Sequence, residues 1–339
     1  MNYPEFLKVG DTIGICAPSA GIVKPEKIEK LEEAIKQLES MGYKVIETAS
    51  VRCDDNGRSA PAKVRADEFM ELLENNEVKL IIFATGGDFL CEILDYLDFD
   101  KIKTLKPKWL QGYSDITGIG YMFNSILDIP TMYFQTIKDY AMKPLHKSLT
   151  DALKIMSGEN VIQESFDLYE KEWDIDNVDP NATYNLTEPV EWKIVLGGNE
   201  ASFQGRSIGG CLDCIKSFIG TKYDKVNEYI NRHQEEGIVW FLEVFEMNTA
   251  ELQRTLWQME SAGYFRNCRG IVFGRPLFIR EDYETSFNDA VKISLEHLNI
   301  PVICDADIGH VSPQMAIING AILKITSKEG KGTVETILK

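Results

Sequence analysis

The run Leu80-Ile81-Ile82-Phe83-Ala84 is short, unbroken and apolar, and it stops at Thr85-Gly86-Gly87-Asp88. A run of that length ending in a glycine turn predicts a strand buried on both faces, the condition of a parallel sheet covered by helices. The flanking sequence agrees. Thr12-Ile13-Gly14-Ile15-Cys16-Ala17 reads as an earlier strand that enters the turn Pro18-Ser19-Ala20-Gly21. Between Pro25 and Met41 the apolar Ile28, Leu31, Ile35 and Leu38 recur at helical spacing, and Gly42 is placed to close that helix in a left-handed cap before the strand Tyr43-Lys44-Val45-Ile46. A further helix is expected from Ala62 to Glu74, so strands and helices alternate and the fold class is α/β.

With 339 residues the chain is too long for one typical core and suggests two domains with a cleft between them. Residues 1–158 form the first. The stretch 159–192 is rich in Asp, Glu and Asn, carries Pro180 and Pro189, has no sustained period, and reads as a linker holding short strands. Residues 193–339 restart with glycine turns at Gly197-Gly198 and Gly209-Gly210, then a helix through Ile215. The apolar strand Ile238–Val244 follows, with Glu243 near its end, then a helix from Thr249 to Ala262 and a strand Gly270–Phe273. Burying Glu243 alone would cost several kcal/mol, roughly, so a partner is expected for it.

A formal net charge of −17 argues against a broad surface for nucleic acid or anionic lipid, since both need a basic footprint. No apolar run is long enough to cross a bilayer and no secretory signal is visible, so cytoplasmic residence is expected. Seven scattered cysteines fit a reducing compartment. Cys211 and Cys214 have CxxC spacing without a second pair, and read as small packing residues on a helix rather than a redox or zinc site. With four histidines, no HExxH and no His/Cys cluster, neither a metal nor another cofactor is expected.

The segment Trp109-Leu110-Gln111-Gly112-Tyr113-Ser114-Asp115-Ile116-Thr117 runs an apolar stretch through a glycine into a serine. A parallel strand delivers a nucleophile in this way, and Ile116, Ile119, Met122 and Ile126 continue at helical spacing. The full GxSxG signature is absent because Ile116 stands at the second glycine, and a helix-capping serine is the plainer reading. Ligands collect outside the carboxyl ends of such strands, which puts the Gly86-Gly87 turn near Ser114. Its backbone N–H groups and that of Asp115 are candidate oxyanion donors, or the glycines merely make a tight turn. Among the histidines, His146, His233 and His297 read as surface or helix-end residues, whereas His310 follows a buried-looking strand and a glycine and is the candidate base. Glu243, Asp305 and Asp307 all compete as the acid that would orient it.

Taken together these stretches resemble the LD-carboxypeptidase family of serine peptidases, which includes murein tetrapeptide LD-carboxypeptidases and microcin C self-immunity proteins. The resemblance rests on Leu7-Lys8-Val9-Gly10-Asp11, Ala17-Pro18-Ser19, Arg65-Ala66-Asp67, Gly86-Gly87, Gly112–Thr117, Gly209-Gly210-Cys211-Leu212, Phe241-Leu242-Glu243, and Ile308-Gly309-His310 with Pro313. It implies a Rossmann-like, flavodoxin-like N-terminal domain, a β-rich α/β C-terminal domain, and a homodimer. It also implies a triad of Ser114 as nucleophile, His310 as base and Glu243 as its orienting acid, with oxyanion donors at Asp115 and at Gly86 or Gly87. Thr85-Gly86-Gly87-Asp88 stands nearer the immunity branch than the Arg-Gly-Gly-Tyr-Gly of murein-recycling members, and Tyr133-Phe134-Gln135 replaces the usual Tyr/His-Gly-Pro. In the immunity branch, aromatic residues of the linker region stack on an adenine. Trp173 and Trp192 are the candidates here, with packing of the linker as the alternative.

Three functions follow from this sequence. The first is removal of a terminal D-amino acid from a cytoplasmic muropeptide. The second is hydrolysis of a peptidyl or aminoacyl nucleotide, as in microcin immunity. The third, of another class, is non-catalytic binding of a small ligand in the cleft.

Overall fold

The computed structural model describes residues 1–171 and 179–338. In the N-terminal part, strands β1 (Thr12–Cys16), β2 (Lys44–Glu47), β3 (Val78–Phe83), β4 (Trp109–Gly112) and β5 (Thr131–Tyr133) are all parallel, in the spatial order 2-1-3-4-5. That order reverses between β1 and β3, and doubly wound sheets bind ligands at such a switch point, beyond the carboxyl ends of the strands. The apolar run behind β3 explains its central place: Leu80, Ile81, Ile82 and Phe83 are each fully buried, with helices packed on both faces. The helices Pro25–Ser40 and Ala62–Glu74 form as their apolar spacing predicts, and Gly42 has a φ of 92°.

The expected linker contributes β6 (Ile162–Glu164) and the pair β7 (Leu168–Tyr169) and β8 (Glu188–Pro189). The C-terminal part holds β9 (Lys193–Leu196), β10 (Glu200–Cys211), β11 (Ile238–Glu243), β12 (Cys268–Gly274), β13 (Val302–Ala306), β14 (Ile317–Asn319), β15 (Ile322–Lys328) and β16 (Lys331–Ile337). Its sheet runs 6-16-15-10-11-12-13-9; β10 to β13 are parallel, and antiparallel strands flank them on both sides. No helix among the described residues is long and apolar enough to cross a membrane.

Two features weld the halves. β14 leaves the second half and completes the first sheet, antiparallel to β5, so that Ile318 enters the N-terminal core while Ile317 faces the core of the C-terminal sheet. The helix Thr117–Leu127 is apolar on nearly every side and is buried between the halves, as an all-round apolar helix must be. Two of its polar groups reach the second half: Thr117 accepts from the Cys211 amide at 3.0 Å, and Asn124 donates to Asn319 at 2.5 Å. Replacing Ile318 by Ala is expected to cost about 2–5 kcal/mol, seen as a lower urea midpoint with an unchanged slope. A change below about 0.5 kcal/mol would mean that β14 is not holding the two parts together.

Candidate functional site

Ser114 sits one residue beyond the buried strand β4, after Tyr113, at the entry to a short 3₁₀ turn (Ser114–Ile116) that continues into the helix Thr117–Leu127. Its φ is 63°, a left-handed backbone that an L-residue other than glycine, Asn or Asp rarely adopts. Such strain costs on the order of 1–3 kcal/mol and persists only where the surroundings enforce it. Those surroundings are tight. A side chain at Gly112 would meet Ile116 and Phe83 at 2.9 Å, and one at Gly86 would meet the Ser114 Oγ at 3.0 Å, so both glycines are required by close approach. The Gly86-Gly87 turn and Ser114 are therefore neighbours, as the strand order predicts.

On the opposite side of the cleft, the Nδ1 of His310 lies 2.9 Å from the Oε2 of Glu243. Glu243 is the last residue of β11 and is completely buried. Its other oxygen accepts a 2.6 Å hydrogen bond from the hydroxyl of Tyr133, at the end of β5 in the first half. Burial opposes ionisation of this carboxyl, but the charge of His310 and hydrogen bonds from His310, Tyr133 and Cys211 outweigh it and hold the group below the usual carboxylate range. The imidazole is gripped by the rings of Phe245 (centroids 4.4 Å apart) and Tyr113 (5.0 Å). With Nδ1 directed at a carboxylate, the ring is oriented to present Nε2 as a proton acceptor, and Ser114 and His310 line the same cleft.

The competing acids are engaged elsewhere. Asp307 pairs with Arg275 at 2.7 Å and accepts from the indole of Trp192 at 2.9 Å, while Asp305 pairs with Lys193. The stacking role expected of Trp192 is corrected by this bond: the indole is buried at 2% exposure beneath Gly332 and does not line the cleft. Trp173 lies outside the described residues. His146 caps the helix Lys147–Met156, His233 contacts Asp128, and His297 pairs with Glu260 at the surface. The carboxylate of Asp115 accepts from Ser19 at 2.5 Å and from the Leu90 amide at 2.9 Å, which anchors the turn behind the nucleophile candidate. Cys211 ends β10 rather than lying on a helix, and the Cys214 thiol reaches the Ser114 carbonyl oxygen at 3.6 Å. No group of three or more His, Cys, Asp or Glu that could hold a metal occurs among the described residues.

The cleft encloses about 510 Å³. One wall comes from the expected linker, through Glu170, Pro180, Ala182, Thr183 and Tyr184, and another from Lys27, Lys30 and Lys138. Sequence reasoning missed these and Tyr133. The only signal at Tyr133 was its place in a segment that departs from the family pattern.

Residues 13–134 match the LD-carboxypeptidase N-terminal domain, and residues 204–325 match the LD-carboxypeptidase C-terminal domain. The chain belongs to the LD-carboxypeptidase family. As a member it is a serine-type carboxypeptidase by class, and its relatives carry both branches. It is 25% identical to the "Probable murein peptide carboxypeptidase" of Bacillus subtilis, covering 99% of this chain and 95% of that protein. It is 26% identical to the "Microcin C7 self-immunity protein MccF" of Escherichia coli, over 94% and 91% of the two chains. Among solved structures, the MccF-like protein of Bacillus anthracis superposes with a TM-score of 0.82 at 23% identity over 99% of both chains. MccF in complex with glutamyl sulfamoyl guanosine superposes equally well, at 0.82 and 22% identity over the whole of each chain. These structural likenesses show the shared two-domain α/β fold.

Removing the Tyr133 hydroxyl leaves the buried Glu243 one donor short. Tyr133→Phe is expected to lower stability by about 1–3 kcal/mol at neutral pH. Because the folded-state pKa of Glu243 is depressed, its contribution is present above the unfolded carboxyl pKa and fades as pH falls, so the deficit of the variant should shrink in acid. Urea titrations from pH 7 to well below the unfolded carboxyl pKa, down to about pH 3, measure this; a deficit that stays undiminished at the acid end would contradict the charge-based account.

Proposed function

We propose that this LD-carboxypeptidase-family member removes a terminal D-amino acid from a muropeptide, using Ser114, His310 and Glu243 as its triad. The observation that carries the reading is a serine held at positive φ on a cleft shared with a histidine whose Nδ1 is bound by a buried carboxylate. Structural serines seldom need such strain, and a surface histidine does not need so costly a partner.

In this reading the Ser114 Oγ attacks the carbonyl carbon of the scissile amide while Nε2 of His310 takes its proton. The resulting oxyanion sits against the backbone N–H of Asp115 and of the Gly86-Gly87 turn. A side chain at Gly86 would lie 3.5 Å from the Asp115 nitrogen, which supports grouping these donors at one place. The imidazolium, stabilised by Glu243, passes its proton to the leaving amine, and the D-amino acid departs. Water, deprotonated by the same imidazole, then attacks the acyl-serine ester and restores Ser114.

A second reading has its own support. Relatives of this fold include MccF bound to aminoacyl sulfamoyl nucleosides, and the turn Thr85-Gly86-Gly87-Asp88 leans toward the immunity branch. The same triad would cleave the amide of an aminoacyl nucleotide.

Wild-type protein should release D-alanine from an LD-linked tetrapeptide, followed by mass spectrometry. Ser114→Ala should lower kcat by roughly 10³-fold or more with little change in KM, and Glu243→Gln by a comparable factor. Cleavage of only an aminoacyl adenylate would move the function to the second reading. Full activity of Ser114→Ala would remove the triad.

A further inference from the structure

Beyond the serine, the cleft ends in a wall that the chemistry above does not use. Lys27 and Lys30, one turn apart on the helix Pro25–Ser40, line it with Lys138 from the 3₁₀ segment Ile137–Ala141. Lys138 Nζ donates to the Thr85 hydroxyl at 3.2 Å, and the next residue, Gly86, is the one packed against Ser114. The ammonium group is thus tied to the residue before the glycine that packs against the nucleophile.

Three lysines converging on one cleft are notable in a chain of net charge −17. Four carboxylates, Glu26, Asp88, Asp139 and Glu170, share the lining; Glu26 attracts Lys27, and Asp139 attracts Lys138 and Lys30, without closing a direct salt bridge to them among the described residues. Glu170 accepts from the Asn185 amide at 3.0 Å. Asp139 is met by the Gln135 amide at 3.2 Å when that side chain is turned to satisfy both of its ends. The lysines meanwhile repel one another. Burial, then the charge of Lys27 and that of Lys30, bring the Lys138 ammonium down to about 8, with Asp139 opposing. Lys27 is likewise lowered, by its burial and by Lys24 and Lys30, with Glu26 opposing. Asp139 and Glu26 offset only part of this repulsion, and an anion that enters the cleft beside the three ammonium groups relieves more of it.

We infer that Lys27, Lys30 and Lys138 form a subsite for the anionic end group of the substrate, a carboxylate or a phosphate, with Lys138 nearest the scissile bond. The inference deepens the proposed hydrolysis and rests on it for the identity of the substrate, whereas binding of the anion itself does not require turnover. A terminal carboxylate beside the scissile amide is what distinguishes a carboxypeptidase substrate from an internal peptide bond, and the Lys138 ammonium is placed to read it.

The test compares wild type, Lys138→Met, Lys138→Arg and the double variant Lys27→Met/Lys30→Met on an LD-tetrapeptide with a free terminal carboxylate and on its terminal amide. Wild type should prefer the acid; Lys138→Met should raise its KM by about tenfold with kcat within about threefold and lose the preference, and the arginine variant should keep it. The wild-type KM for the acid should also climb above about pH 8, where Lys138 loses its charge, and stay flat in Lys138→Arg. An unchanged KM and an unchanged preference in the methionine variants would overturn the subsite. Should wild type cleave neither peptide, the hydrolytic proposal fails while calorimetry with N-acetyl-D-alanine and with adenosine monophosphate still decides the subsite. Weaker binding of the first in the methionine variants assigns a carboxylate, and of the second a phosphate. Equal binding by all proteins, or binding of neither probe, rejects it.

Discussion

The wholly buried carboxylate of Glu243 is the group on which the arrangement of the molecule turns. Left alone at the end of an apolar strand, it would cost several kcal/mol, roughly, and would protonate. It stays ionised because two elements far apart in sequence converge on it, Tyr133 from the first sheet and His310 from the loop after β13. Neither partner can be withdrawn cheaply. The carboxylate therefore fixes the relation of the two halves at the point where Ser114 and His310 face one cleft.

The remaining devices serve the same geometry. The left-handed backbone of Ser114 is enforced from three sides: by the buried strand before it, by the Gly86 turn against its side chain, and by the Asp115 carboxylate tied to Ser19 and Leu90. The helix that starts there cannot drift, because it lies between the halves with Thr117 and Asn124 bonded across the boundary. β14 adds a strand from the far end of the chain to the sheet that carries the serine. The cleft is consequently built on sheets and a buried helix, which hold a site more exactingly than surface loops do.

Much of this was legible in the sequence, for identifiable reasons. The apolar run behind β3, the helical spacing of Ile28 to Leu38 and the Gly42 cap each reflect local physics, and each element formed as read. Ser114 and His310 stood out because both follow buried strands. Residue patterns alone leaned to Glu243, at the end of an apolar strand, without deciding it over Asp305 and Asp307, since nearness in sequence says little about contact across a sheet. The resemblance to the family favoured Glu243, and the structure engages Asp307 with Arg275 and Trp192, and Asp305 with Lys193. Trp192 stayed open between stacking and packing because a tryptophan in a polar stretch reads the same whether it meets a ligand or a buried aspartate, and its bond to Asp307 gives it the packing role. β14 is three residues long and pairs over a great sequence distance, so it carries no local signal. Lys27 and Lys30 resembled the ordinary solvated face of a helix, and only the path of the segment holding Lys138 reveals that they share a wall.

If Ser114 is the nucleophile, it should be singled out by an electrophile that needs the oriented imidazole as well as the hydroxyl. Incubating the intact protein with a fluorophosphonate and mapping the adduct by peptide mass spectrometry asks that question. The expected result is one phosphonyl group per chain on Ser114, with labelling much slowed in His310→Ala. Labelling spread over other serines, or none at Ser114 in protein that turns over substrate, would contradict the assignment.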